Sequence, residues 1–394
     1  MNLRNIVDKV KPTFEKDGRM GFLHSTFDAF ETFMFVPNTV TKKGSHVRDC
    51  VDIKRVMIIM VMALVPAFLF AIWNIGYQHS LAFGLDWGFW NMVGYGLVKI
   101  IPLYLVTYIV GLAIEFTSAQ LRGHEVNEGY LVTGFILPLI VPVDVPLWML
   151  AVATAFAVII GKEVFGGTGM NIWNPALIAR AFLFFSYPSS MSGDYAWIGG
   201  LQKASQGGTP WASGSGAIVD GFSGATPLAN ASMDGLAQHG YNFWNLFLGN
   251  VPGAVGETSA IAILLGACVI FFTGVASWKI MLSGVAGGLF VGWLGNLAGV
   301  TDIPCWYQLV MGGFLFGIVF MATDPVTSAQ TECGKWIYGF LVGAICVVVR
   351  LFNPGYAEGM MLAILLMNTF APLIDHYVIE GSIARRSRKK VKIA

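Results

Sequence analysis

The stretch VMIIMVMALVPAFLFAIW, residues 56–73, decides the fold class of this chain, because it runs for 18 residues without one charged side chain. A helix needs about 20 such residues to cross the hydrocarbon core of a bilayer. Over all 394 residues, 55% are hydrophobic and 12% are charged, whereas about a quarter of the residues in an ordinary globular domain are charged. The sequence therefore predicts an all-α integral membrane protein.

Ten apolar segments predict about ten transmembrane helices. They lie near residues 56–77, 93–114, 129–142, 146–161, 174–187, 258–278, 280–300, 306–323, 336–352 and 357–374. Some are short or broken, by Pro138, by Pro142 or by the glycine-rich turn at 166–169. Irregular backbone inside a membrane is tolerated only where protein covers it or where it lines a cavity. The breaks therefore indicate a binding site.

The basic residues predict the orientation in the membrane. Ten Lys and Arg residues lie in the first 55 positions and six lie in 385–392, but Lys203 is the only one in 188–256. Because basic residues favour the cytoplasmic side, both tails are expected in the cytoplasm and the loop 188–256 in the periplasm. The basic residues cluster at the two ends rather than along one face, so nucleic acid is not expected as a partner.

Parts of the sequence recur along the chain. Gly134-Phe135 returns as Gly313-Phe314, and Asn174-Pro175 returns as Asn353-Pro354, each 179 positions later. An odd number of spans between the copies predicts two inverted five-helix repeats, with a shared site between them. The alternative is chance recurrence of residues that are common in membrane helices.

The sequence predicts five regions. They are a tail at 1–55, a first repeat at 56–187, a periplasmic loop at 188–256, a second repeat at 257–378 and a basic tail at 379–394.

The loop contains an unusual stretch, DGFSGATPLAN, at residues 220–230. Gly224 and Ala225 leave the backbone bare, so that a bulky or phosphorylated group can approach it closely. The hydroxyl of Thr226 can carry a phosphoester, and Asp220 could help to deprotonate it. Composition alone favours a glycine-rich turn that is capped by the aspartate.

The pattern D-x-x-[ST]-G-A-T resembles the sequence read by the periplasmic flavin transferase, which takes FMN from FAD and joins its phosphate to the final threonine. Asp220, Ser223, Gly224, Ala225 and Thr226 match every fixed position. Together with the ten-segment layout and the run GKEVFGGTGMNIWNPALIARA, this motif makes nearly the whole chain similar to the family of B subunits of the sodium-pumping NADH:quinone reductases. The related D subunit of the Rnf complex shares the motif, but its N-terminal tail is usually shorter.

The resemblance implies a set of cofactors and partners. It implies FMN bound covalently to Thr226, a non-covalent riboflavin, and a ubiquinone pocket near the cytoplasmic face with Glu128 and Gly129 at its wall. It also implies a multi-subunit complex of the bacterial inner membrane, with six subunits expected, that moves electrons from NADH to ubiquinone while Na⁺ leaves the cytoplasm. The NADH site, FAD and iron–sulphur centres would belong to other subunits, and the five cysteines of this chain include no C-x-x-C pair.

Acidic residues at the ends of apolar segments are candidates for the sodium pathway. Ionisable groups in membrane segments are costly and usually functional, and carboxylate oxygens suit a hard cation. The family links acids at the positions of Glu128, Asp324 and Asp375 to sodium uptake, and Phe316 with Phe320 resembles its gating aromatic pair. The alternative for each acid is an interfacial residue at a helix end.

Arg180 and Lys99 lie inside apolar segments, where an unpaired charge is hardly tolerated. Each therefore needs a phosphate or an acidic partner; for Arg180 a flavin phosphate and a structural ion pair both stay open. A different class of function also stays open, since inverted five-helix repeats build solute channels and transporters as well.

Overall fold

The computed structural model describes residues 3–14, 21, 27, 31, 43–45, 53–122, 129–191, 196–201, 224–231, 233–353 and 358–391. Within these ranges all regular elements are helical. In chain order the helices are α1 (Leu3–Phe14), α2 (Ile53–Ala82), α3 (Phe89–Arg122), α4 (Tyr130–Ile140), α5 (Leu147–Gly161), α6 (Pro175–Ser186), α7 (Pro188–Met191), α8 (Met233–Gln238), α9 (Phe243–Leu248), α10 (Ala260–Thr273), α11 (Trp278–Leu297), α12 (Tyr307–Val310), α13 (Phe314–Phe316), α14 (Glu332–Phe352) and α15 (Met360–Val391).

Six of the described helices are long and apolar enough to cross a membrane, namely α2, α3, α5 with the turn after it, α11, α14 and α15. The all-helical membrane architecture is thereby confirmed, whereas ten full spans are not. The helices α4, α6 and α10 have 11, 12 and 14 residues. At about 1.5 Å per residue they reach roughly 16–21 Å, which is short of a bilayer core of about 30 Å.

The eighth apolar segment is a broken helix. It consists of α12, an extended Met311, the short helix α13 and a π-helical turn, Gly317–Met321. The break frees carbonyl groups that lipid cannot satisfy. Arg350 of α14 satisfies them, because its Nη1 donates to the Gln308 carbonyl at 2.6 Å and its Nη2 donates to the Met311 carbonyl at 2.9 Å. A buried arginine thus replaces the missing helical hydrogen bonds.

The short helix α4 ends inside the protein and meets an extended segment that precedes α10. The Gly256 N–H donates to the Leu139 carbonyl at 2.7 Å, so one free carbonyl of the helix end is satisfied. Asn74 of α2 holds the same segment, because its Nδ2 donates to the Val251 carbonyl at 3.2 Å and lies 3.3 Å from the Thr258 hydroxyl. The chain between the loop and α10 is therefore anchored inside the helical bundle.

Helices α11 and α14 pack backbone to backbone. A Cβ atom on Gly343 of α14 would lie 1.9 Å from the Gly284 carbonyl oxygen of α11, and one on Gly287 would lie 2.1 Å from the Phe340 carbonyl oxygen. Small residues at such spacing let two membrane helices approach backbone to backbone. These glycines leave no room for any side chain.

We expect Gly343→Ala to destabilise the protein by about 1–3 kcal/mol, as overpacking of a close contact does. The backbone of Gly284 cannot move aside without shifting the whole of α11. Thermal unfolding in detergent measures the effect. Gly94→Ala on α3 is the matched control, because no atom lies within 4 Å of its added Cβ, and it should unfold at or above the wild-type temperature. Equal losses in both variants would contradict this packing.

Candidate functional site

The residues singled out in the sequence fall into separate places. Asp220, Ser223 and Glu128 lie outside the described residues. Gly224, Ala225 and Thr226 lead into a turn at 227–230 in the loop before α8, and we name residues 224–230 the attachment turn. Gly129, Phe320 and Asp324 line one cavity, whereas Phe316, Arg180 and Asp375 lie elsewhere and are described below.

The attachment turn holds Thr226 with its side chain half-buried. The Thr226 Oγ1 accepts a hydrogen bond from the Ala229 N–H at 3.2 Å, and the Thr226 carbonyl accepts one from the Asn230 N–H at 3.1 Å. The hydroxyl is therefore oriented by a local turn. An oxygen in an ester bond still accepts a hydrogen bond, so the turn can persist after a phosphoester forms.

A small hydrophobic cluster supports the attachment turn from beneath. Leu228 packs there with Leu246, Val251 and Met311. Tyr241 donates from its Oη to the Ala225 carbonyl at 3.3 Å. Burial raises the pKa of the Tyr241 phenol to about 12, so the group stays a neutral donor at physiological pH.

The attachment turn fits a phosphorylated group. Gly224 and Ala225 are buried and contribute no long side chain, whereas the Thr226 side chain stays partly accessible. The residues present therefore suit a covalent FMN on Thr226, with the nucleotide outside the small cluster.

A cavity of about 70 Å³ lies between the two halves of the chain. From the first half it is lined by Gly129, Lys162, Thr168, Asn171 and Asn174, and from the second by Phe320 and Asp324, among others. Pockets for organic ligands usually measure about 300–1,000 Å³. The cavity therefore suits a small cation with water, and it does not fit a three-ring flavin.

Asp324 supplies the carboxylate of the cavity. Its Oδ1 accepts from the Val326 N–H and its Oδ2 accepts from the Thr327 hydroxyl, both at 3.1 Å. A carboxylate has about four lone-pair sites, so each oxygen keeps capacity for a cation. The π-helical turn ends just before Asp324, and a helix C-terminus is also favourable to positive charge.

The opposite wall of the cavity carries a buried ion pair. Lys162 donates to Glu115 of α3, and both side chains are only 4% exposed. The Oε2 of Glu115 and the Oγ1 of Thr168 are buried and make no hydrogen bond within the described part of the chain. This pair was missed in the sequence, although an acid that follows directly on an apolar segment is a usable signal.

Phe316 and Phe320 lie against each other, as a gating pair requires. Their ring centroids are 5.1 Å apart with an interplanar angle of 55°. Both rings are fully buried, and Phe320 borders the cavity of Asp324. Their role as a gate stays a prediction.

Asp375 lies away from the cavity lining and serves the start of α14. Its Oδ1 accepts from the Thr331 N–H at 3.0 Å and from the Thr331 hydroxyl at 2.6 Å, and its Oδ2 accepts from the Gln330 N–H at 2.7 Å. These bonds fasten the loop before α14 to α15. A role of Asp375 in the sodium pathway stays a prediction.

Arg180 has two acidic partners, neither of which the sequence identified. Its Nη1 donates to Glu257 Oε1 at 2.7 Å, and its Nη2 donates to Glu358. Lys99 likewise pairs with Asp144 at 2.7 Å. The ion-pair alternative is thus the one observed for both cations, and a flavin phosphate on Arg180 stays a prediction.

The chain matches known proteins over almost its full length. The model of the NQR2, RnfD, RnfE family matches residues 40–384. A protein of Pseudomonas paraeruginosa, named as the B subunit of the Na(+)-translocating NADH-quinone reductase, is 42% identical, with 98% of this chain and 99% of that protein covered. Proteins with the same name from Chromohalobacter salexigens and Azotobacter vinelandii are each 40% identical, with 99% of this chain and 97% and 100% of those proteins covered. The resemblance drawn from the sequence is confirmed.

We expect Lys162→Met to destabilise the protein by about 3–5 kcal/mol, because removing one partner of a buried pair leaves an uncompensated charge. Thermal unfolding in detergent measures the loss. The double variant Lys162→Met with Glu115→Leu should recover most of it, since both charges then disappear. Lys335→Met is the matched control, because its partner Glu332 is 66% exposed, and it should stay near wild type. A Lys162→Met protein as stable as the control would contradict the buried pair.

Proposed function

This chain belongs to the NQR2, RnfD, RnfE family, and on that premise we propose that it is the B subunit of a Na⁺-translocating NADH-quinone reductase. The observation that carries the proposal is the match along nearly the whole chain to relatives of that name. The chain is then a membrane component of a translocase, which works together with other subunits. The bacterial inner membrane, a complex of six subunits and ubiquinone as the acceptor follow from the same premise.

Covalent FMN on Thr226 makes this chain an electron carrier. A periplasmic flavin transferase forms the bond between Thr226 Oγ1 and the phosphorus of FMN and breaks the diphosphate bond of FAD, with AMP as the leaving group. Bound FMN supplies redox chemistry that no amino-acid side chain offers. The chain itself orients the anchor through the Ala229 N–H and supports the turn through Leu228 and Tyr241. Asp220 and Ser223 complete the motif that the transferase recognises.

Sodium reaches the protein through the cavity at Asp324. The support is a carboxylate with free lone pairs at a helix C-terminus, in a cavity of about 70 Å³. Phe316 and Phe320 close the pathway beyond it, and Glu128 and Asp375 are further acids of the pathway. Conduction needs such a site to bind weakly enough for release.

The ubiquinone and riboflavin sites are proposed with fewer assigned residues. Gly129 borders the same cavity and, with Glu128, forms part of the ubiquinone wall at the cytoplasmic face. Riboflavin is a second flavin of this chain and has no assigned residue.

The two inverted five-segment repeats are also proposed. They are supported by the position of the short helix α4 and of the broken helix at 307–321, since each follows two helices in its own half of the chain.

Two alternatives can be weighed against this function. The D subunit of the Rnf complex shares the family, but nearly full-length relatives that carry the B-subunit name favour the quinone reductase. A solute channel or transporter of similar fold would carry no flavin, so the chain coexpressed with the flavin transferase would be colourless. A yellow chain favours the redox function.

We expect Thr226→Val to remove the covalent flavin from this chain, because valine has the same shape and no hydroxyl to esterify. The ultraviolet fluorescence of its band on a denaturing gel, after coexpression with the flavin transferase, measures the loss. Thr273→Val is the matched control: this exposed threonine ends α10 and should leave the band unchanged. A fluorescent Thr226→Val band would overturn the anchor assignment.

We expect Asp324→Asn to raise the sodium concentration that half-saturates quinone reduction by about tenfold, which corresponds to about 1.4 kcal/mol of lost cation binding. The measurement is a sodium titration of NADH-driven quinone reduction by the purified complex. Asp302→Asn, an exposed acid in the loop before α12, is the control. An unchanged titration for Asp324→Asn would remove this residue from the pathway.

A further inference from the structure

Two carboxylates of different character lie along the broken helix. Asp324, which is partly buried, follows the π-helical turn and lines the cavity. Glu257, which is buried, lies at the break, where its oxygens would be 2.6–2.7 Å from a Cβ on Gly313, the residue that precedes α13. The eleven steps along the chain from Gly313 to Asp324 span roughly 16 Å at helical rise. The rings of Phe316 and Phe320 lie between the two acids.

Glu257 has an oxygen without a partner. Its side chain is 4% exposed, and its Oε2 makes no hydrogen bond within the described part of the chain. A buried carboxylate oxygen without a hydrogen bond is costly. Such a cost is offset when a cation binds, because carboxylate oxygens are the ligands that hard cations prefer.

Arg180 occupies the other oxygen of Glu257 and also reaches Glu358. One guanidinium therefore bridges two carboxylates, and Arg350 beside Glu257 supplies the second positive charge of the group. Arg180 is attached to α6 of the first half, whereas both acids belong to the second half of the chain. The free oxygen of Glu257, rather than a charge deficit, is what a second cation can bind.

Arg350 limits how tightly such a cation can bind. Its guanidinium lies near Glu257 but donates its hydrogen bonds to the carbonyls of Gln308, Met311 and Glu358 and to the Gln308 side-chain oxygen. Its positive charge weakens cation binding without cancelling the free oxygen of Glu257. A site from which an ion must leave needs this weak affinity.

The Glu257 end of the broken helix faces the attachment turn. A Cβ on Gly312 would lie 3.2 Å from Leu228, which belongs to that turn, and 3.3 Å from Arg350 Nη2. The loop with the attachment turn is the one expected in the periplasm. Glu257 therefore lies on the periplasmic side of the aromatic pair, and Asp324 lies on the cytoplasmic side.

We infer that Glu257, with Arg180 and Glu358, forms a second sodium site, on the exit side of the Phe316–Phe320 pair. This inference rests on the proposed function, because it assigns the cation to the transport reaction. Arg180 acts in it as a tethered cation that balances one of the two carboxylates at all times. Sodium binds the free oxygen of Glu257 while it occupies the site.

The test uses the complete complex in liposomes, with the NADH site facing outwards, so that the lumen corresponds to the periplasm. Lumenal sodium that fills an exit site slows NADH-driven quinone reduction. In Glu257→Gln the lumenal sodium concentration for half-inhibition should rise about tenfold, which is about 1.4 kcal/mol. The external concentration for half-activation should stay within about twofold of wild type.

Two further variants keep the test decisive. If Glu257→Gln fails to assemble, the double variant Arg180→Gln with Glu257→Gln removes both charges of the pair and should show the same lumenal shift. Glu332→Gln, an exposed acid at the start of α14, is the control and should shift neither titration. Asp324→Asn should move the external titration instead.

Each result has a definite reading. Unchanged lumenal inhibition in Glu257→Gln and in the double variant overturns the exit site, and so does an equal shift of both titrations. A wild-type complex that reduces quinone with no response to sodium on either side contradicts the proposed function itself, which is a different failure.

Discussion

Backbone groups that are left free inside a membrane constrain this protein more than any other factor. Lipid cannot satisfy a free carbonyl or N–H, so each helix that stops within the bilayer needs a protein partner. The end of α4 is satisfied by Gly256, and the break at Met311 is satisfied by Arg350. The partner of α4 comes from the segment that leads into the other half of the chain. Helix α4 can therefore end inside the protein only when the segment before α10 packs against it, whereas the break at Met311 depends on α14 of its own half of the chain.

Buried charges likewise need partners from other parts of the protein. Arg180, Lys162 and Lys99 would each be costly alone in an apolar segment, and each has an acidic partner from a distant part of the chain. The pairs differ in the number of charges they contain. Lys99 faces a single acid, whereas Arg180 faces two acids and Arg350 lies beside one of them. Because a buried carboxylate oxygen without a hydrogen bond is costly, Glu257 is a place where the fold retains a cost that packing alone does not require.

The broken helix joins the redox and cation parts of the proposed function. Met311 at its beginning belongs to the small cluster beneath the attachment turn, and Phe320 near its end borders the cavity of Asp324. One piece of backbone thus contacts both proposed sites. Coupling requires an element with two states whose affinity for the cation differs. A short helix with a π-helical turn, whose preceding break is held by the Arg350 side chain, has the structure expected of such an element.

The sequence by itself determined the membrane class, the helical fold, the family and the attachment motif around Thr226, because hydrophobic runs and short motifs are local properties. It also indicated that Arg180 needs a partner, but not that Glu257 and Glu358 supply it. Only the tertiary structure decided those pairs, the shared cavity of Gly129 and Asp324, and the placement of Asp375 at the start of α14. The ten predicted spans are not confirmed, because an apolar segment such as 306–323 looks continuous in sequence, whereas a distant arginine allows it to break. Contacts between residues far apart in the chain depend on how the helices pack, and a local sequence pattern does not predict that packing.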